Sequence, residues 1–117
     1  MALSDFFESI INAFKAFIEK VKGIIKNIIA KIVNFAKQIK EWFLNLPLIK
    51  GRHIPFLTKK NEIKEMIKNA PVRNIGIFEG VYDEQTDEIT EARYIAADEM
   101  DEDTRKVLGN EDLVVLN

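Results

Sequence analysis

From Asp5 to Leu46 the large apolar residues, Val33 and Leu44 excepted, fall on one side of a single continuous helix, and this pattern constrains the fold more than any other in the chain. Phe7, Ile11, Phe14, Ile18, Val21, Ile25, Ile28, Ile32, Phe35, Ile39, Trp42 and Leu46 recur at alternating steps of four and three. With Ile10, Phe17, Ile24, Ile29, Ala36 and Phe43 they fill an arc of roughly 140° at about 100° per residue. Such a stripe does not face water. It must lie against a membrane surface, against copies of itself, or against its own domain.

The pattern repeats after five whole turns. Phe7 matches Ile25, Phe14 matches Ile32, Phe17 matches Phe35 and Val21 matches Ile39. That spacing fits a straight helix of period 3.6, and the shoulder of the stripe drifts accordingly from Ile10, Phe17 and Ile24 to Ile29, Ala36 and Phe43. A two-stranded coiled coil, which needs a narrow seam of period 3.5, is disfavoured, whereas a multi-helix bundle is not.

Lys15, Lys22 and Lys40 line one edge of the stripe and Lys20 and Lys31 the other, with Asp5, Glu8, Glu19 and Glu41 toward the middle of the polar face. Edge lysines can lay their methylene stems over an apolar boundary and lift their ammonium groups to phosphate level. The segment Phe14 to Lys22 resembles the lipid-binding amphipathic helices of the apolipoprotein class. The resemblance covers at most residues 1–46 and implies a lipid surface as the partner of this face.

The chain divides by charge. Residues 1–50 carry a net +4, residues 51–70 a net +3 and residues 71–117 a net −9. A basic part that meets an anionic surface and an acidic part that stays solvated is one reading; intramolecular attraction is the other. The opening residues lack the basic n-region of a secretory signal, and lysines interrupt the apolar runs far short of the roughly 20 residues that span a bilayer. These features predict a cytoplasmic or peripheral-membrane protein without a transmembrane span.

Ser4 is an expected N-cap, Gly23 a point of possible bending, and Pro47 the end of the helix. A helix over residues 4–46 would be about 60 Å long, too long for the remaining residues to cover. Residues 47–57 read as a connector. Thr58 then caps an expected helix from Lys59 to about Asn69, with Ile63, Met66 and Ile67 on one face and Pro71 as its stop. Asn74–Tyr82 and Ile89–Ala97 read as a hairpin around the polar turn Asp83–Glu88. Asp101 caps a short helix, Asp103–Leu108, with Gly109 as terminator, and Asp112–Leu116 is a last strand. The expected fold is therefore α+β: a long amino-terminal amphipathic helix (1–46), a connector, and a small acidic αββαβ domain (58–117). The exposed sheet edges of that domain could accept a strand from a protein partner.

Catalytic signals are sparse. His53 is the sole histidine, Ser4 and Ser9 are the only serines, and cysteine is absent. No phosphate-binding glycine loop or zinc-protease motif occurs. The turn Asp83–Glu88 clusters carboxylates, but an EF-hand would need glycine where Glu88 stands and a glutamate where Tyr94 stands. No metal or cofactor is therefore expected. The basic stretch Lys50, Arg52, His53, Lys59, Lys60, Lys64 and Lys68 lacks an aromatic platform or reading helix, which argues against nucleic acid. The chain reads as a non-enzymatic protein whose amphipathic face, including Phe43, binds an anionic membrane, with oligomerisation and bilayer perturbation there as expected consequences. The alternative is a self-assembling structural subunit whose helices pack into a bundle or tube, as in a phage-like particle.

Overall fold

The computed structural model describes residues 3–68 and 70–116, with side chains from Asp5 onward. The single long helix is not formed. Helix α1 spans Leu3–Lys20, and the segment expected to continue it becomes strand β1, Lys26–Val33. A π-helical turn, Phe35–Lys40, leads into the short helix α2, Glu41–Leu44. Strand β2 is His53–Thr58, helix α3 Asn61–Lys64, and strands β3 and β4 are Ile75–Asp83 and Glu88–Met100. Helix α4, Glu102–Leu108, and strand β5, Leu113–Val115, complete the chain. A long helix followed by a separate αββαβ unit is thus replaced by one five-stranded mixed sheet that draws β1 from the expected helix and β2 from the expected connector.

The helix stops for a local reason. The Gly23 amide donates to the Ile18 carbonyl at 2.8 Å and the Lys22 amide to the Glu19 carbonyl at 3.1 Å. These paired bonds form a left-handed C-terminal cap, with Lys22 at φ 59° and Gly23 at φ 77°. A Cβ on Gly23 would sit 2.7 Å from the Met66 carbonyl oxygen, and the Gly23 carbonyl accepts from the Lys68 amide at 2.9 Å. Gly23 is therefore a full stop, docked against the segment after α3. Beyond it, six of the ten residues from Ile24 to Val33 are β-branched, which suits an extended, half-buried strand better than a helix.

The sheet order is β1-β4-β3-β2-β5. β1 runs parallel to β4, with Ile28 beside Ile95 and Ala30 beside Ala97. The remaining pairs are antiparallel, and β3 and β4 form the hairpin, with a register shift at Val81/Tyr82. Adjacent strand residues alternate between two cores, Phe56 from Leu57, Phe78 from Ile77 and Tyr94 from Ile95, so helices cover both faces. On one face Ile10, Phe14 and Ile18 of α1 pack with Ile63 of α3, and the Phe14 ring meets Phe78 and Phe56 edge-on at 5.3 and 5.6 Å. On the other, Ile39, Phe43 and Leu108 close over Ile77, Val81 and Ile95.

The Asp101 carboxylate joins the two helical pieces of that second layer. It accepts from the Thr104 amide at 2.9 Å, capping α4, and from the Phe35 amide at 3.2 Å, capping the π-helical turn. The π-helical turn is further fixed by Asn34, whose side chain accepts from the Lys37 amide while its own amide donates to the Gln38 side chain. Helix α3 is one turn long, shorter than expected; its expected end at Asn69 lies outside the described residues. Likewise, α1 already includes Ser4, and a capping role for that side chain lies outside the described side chains.

The two readings of Gly23 predict opposite signs. In a continuing helix Gly23→Ala would stabilise by about 1 kcal/mol, whereas at this left-handed, sterically closed position it is expected to cost about 1–3 kcal/mol. A lower urea midpoint at unchanged slope is the expected outcome; a higher midpoint contradicts the stop.

Candidate interaction surface

Among the described residues β1 is hydrogen-bonded on one side only, to β4, and presents the long open edge of the sheet; the opposite edge is the three-residue β5. Ile28 and Ala30 turn toward the second core. Ile29 and Ile32, however, are 57% and 48% exposed, and Ile24 in the preceding turn is 68% exposed. Lys20, Lys22, Lys26 and Lys31, all exposed, flank these isoleucines along the chain. This edge is therefore both apolar and basic, with unpaired backbone groups along an eight-residue strand.

The residues expected to form one continuous face are distributed over both cores. Ile11, Phe14 and Ile18 are buried in the first, with Phe7, Phe17 and Ile25 packed at its border. Ile39 and Phe43 are buried in the second, bordered by Ile28, Phe35, Trp42 and Leu46. Val21 is half-buried and Ile32 exposed on β1. Of the edge lysines, Lys15 pairs with Glu62 at 2.8 Å, while Lys20, Lys22, Lys31 and Lys40 are exposed. Phe7, Phe14, Phe17, Phe35, Trp42 and Phe43 consequently do not share a surface.

A buried polar cluster escaped the sequence pattern. Glu79 and Arg93 stand opposite each other across the β3–β4 hairpin, 0% and 8% exposed, with both Nε and Nη2 of Arg93 3.1 Å from Glu79 Oε1. Arg93 Nη2 also donates to the Gln38 carbonyl in the π-helical turn. Its guanidinium lies 4.6 Å from the centre of the Trp42 ring. Glu79 Oε2 has no hydrogen-bond partner among the described residues. Burial pushes the Glu79 carboxyl up to about 7, against the opposing pull of Arg93. Sealed beneath Trp42, the cluster fastens the π-helical turn and α2 to the sheet and offers no reactive group to solvent. The sequence signal was a glutamate inside the apolar run Ile75–Tyr82, legible only once the hairpin register places Arg93 across from it.

At the far end of the same face, Arg52 donates from Nε and Nη2 to the Asp83 carboxylate at 2.9–3.1 Å. These bonds bring the carboxyl down to about 2. The His53 Nδ1 accepts from the Ile49 amide at 2.8 Å, and its Nε2 lies 3.8 Å from Asp83. Arg52, whose carbonyl also accepts from the Glu84 amide at 2.9 Å, thus ties the loop before β2 to the hairpin turn. Within that turn the Asp83 carboxylate also accepts from the Gln85 amide, and Asp87 accepts from the Tyr82 hydroxyl. Both carboxylates are already engaged by protein donors, and among the described residues no cluster of three or more potential metal ligands is present. No described helix is long and apolar enough to cross a membrane.

Compared with protein-family models, curated proteins and solved structures, the chain finds no significant match in any of the three.

The raised Glu79 carboxyl makes a pH prediction. The folded state holds this proton more tightly than the unfolded chain, so its contribution is full below the ordinary value near 4.5 and is lost as pH rises toward 7. Stability measured in urea should decline over that window by about 2–3 kcal/mol, and the decline should be absent in Glu79→Gln. Parallel profiles for the two proteins would contradict the burial of an ionisable carboxyl here.

Proposed function

We propose that the chain is a non-enzymatic interaction module that pairs with a second copy of itself by continuing its sheet across β1. The observation that carries this reading is the open β1 edge with Ile29 and Ile32 about half exposed on it. A long apolar edge is a template for another strand, and a two-fold pairing satisfies both copies at once.

The residues of β1 suit such a pairing. Across a two-fold axis normal to the sheet, antiparallel partners share a face, so their residue numbers have the same parity. Lys26 and Lys31 differ in parity and never stand opposite each other. With Ile29 on the axis it faces Ile29 of the second copy, Lys31 faces Asn27, Lys26 faces Ile32, and Ile28 faces Ala30. That register joins two isoleucines on one face, continues the second core on the other, and sets no like charges directly across. The alternative occupant is an anionic membrane surface, supported by the exposed Lys20, Lys22, Lys26 and Lys31 around Ile24 and Ile29. A cytoplasmic or peripheral-membrane location accompanies either occupant.

Sedimentation of the wild-type chain and of Ile29→Lys, with and without phosphatidylserine vesicles, tests the proposal. The expected result is a concentration-dependent wild-type dimer without lipid, and for Ile29→Lys a monomer with unchanged circular dichroism and at least about tenfold weaker association. A wild-type monomer that co-sediments with anionic vesicles favours the lipid surface instead. A wild-type monomer indifferent to vesicles contradicts both.

A further inference from the structure

Strand β2 leaves the sheet at Thr58, opposite Phe78, so the first residues of β3 lie beyond the end of their neighbour on that side. The vacated space is a cavity of about 320 Å³ between the start of β3 and α3, lined by Lys59, Asn61, Lys64, Asn74, Gly76 and Tyr94 around an apolar floor that includes Phe78. Its volume lies at the lower end of the range for small-molecule sites.

Three features give this cavity a chemical bias. Lys59 and Lys64 both line it, and neither forms an ion pair among the described residues. No carboxylate of the described residues lines it. The Tyr94 ring is 1% exposed, yet its hydroxyl makes no hydrogen bond to another described residue. Room for that hydroxyl depends on Gly76, since a Cβ there would lie only 1.9 Å from it. The contrast with a wider recess of about 500 Å³ beside α1 is informative: its Lys15 and Lys60 are both paired with Glu62, and Glu8, Glu111 and Asp112 also line it.

We propose that the cavity beside the start of β3 binds a small organic anion, its carboxylate or phosphate held between Lys59 and Lys64 and its apolar body resting on Phe78 with the Tyr94 hydroxyl as a hydrogen-bond donor. Two cations with no acid among the described lining residues supply charge selectivity, the amide of Asn61 adds a further donor while that of Asn74 donates to the Asp98 carbonyl at 3.3 Å, and the aromatic floor favours a flat body over inorganic phosphate alone. This site is separate from the β1 edge, so its test stands or falls independently of self-association.

Titration of the full chain with benzoate and phenyl phosphate, followed by amide chemical shifts, tests the proposal, with benzamide as the neutral isostere. Saturable shifts centred on Gly76, Phe78 and Tyr94 are expected for both anions and not for benzamide. Lys59→Gln/Lys64→Gln should bind benzoate at least about tenfold more weakly, and Tyr94→Phe several-fold more weakly, both with an unchanged amide spectrum elsewhere. Equal shifts from benzamide and benzoate, shifts centred on lysines outside the cavity, or no saturable shift would each overturn it.

Discussion

A helix that continued past Val21 would leave no chain for β1, and without β1 the parallel partner of β4 and the route to the second layer would both be missing. The left-handed cap at Lys22 and Gly23 is therefore the constraint on which the rest of the fold depends. It acts through geometry more than through burial. Two backbone bonds close the end of α1, and a third, from the Lys68 amide to the Gly23 carbonyl, fixes the turn against the segment after α3. A side chain at Gly23 meets both an unfavourable φ and the Met66 carbonyl.

Once β1 is placed, polar contacts position the second layer. Asp101 caps α4 and the π-helical turn with one carboxylate, and Arg93 reaches from the sheet to Gln38 and Trp42. A buried ion pair is weak support for stability on its own, because desolvation opposes the attraction; removing one partner is what costs several kcal/mol. The value of Arg93 here is specificity. It supplies the donor that satisfies the Gln38 carbonyl of the wide π-helical turn, a bond that a docking of similar apolar content without Arg93 in reach would leave unmade.

Local signals made the carboxy-terminal half readable. Asp101 and Gly109 bracket α4, and the polar run after Tyr82 separates two apolar segments that pair as β3 and β4. The amino-terminal half misleads because isoleucine doublets at 24–25 and 28–29, followed by Ile32–Val33, recur every four residues. That spacing makes a helical stripe, and it equally puts apolar side chains on both faces of a strand, as β1 requires. Only the backbone at Gly23 decides between them: a local left-handed cap, held in place by a contact with Met66 and Lys68 that apolar spacing does not encode. The same limit hid β2, whose Pro-containing segment resembles a connector until β3 and β5 flank it. It also hid the exposed Ile24 and Ile29, which lay on the shoulder of the helical stripe and stand at the open edge of the sheet.

Backbone resonance assignment of residues 20–35 distinguishes a capped α1 from a continuous helix. Helical secondary shifts ending at Lys20, extended shifts from Lys26 to Val33, and amide-to-Hα contacts linking Ile28–Ala30 with Ile95–Ala97 are expected. Helical shifts running unbroken through Gly23 to Val33, without those contacts, would contradict the cap.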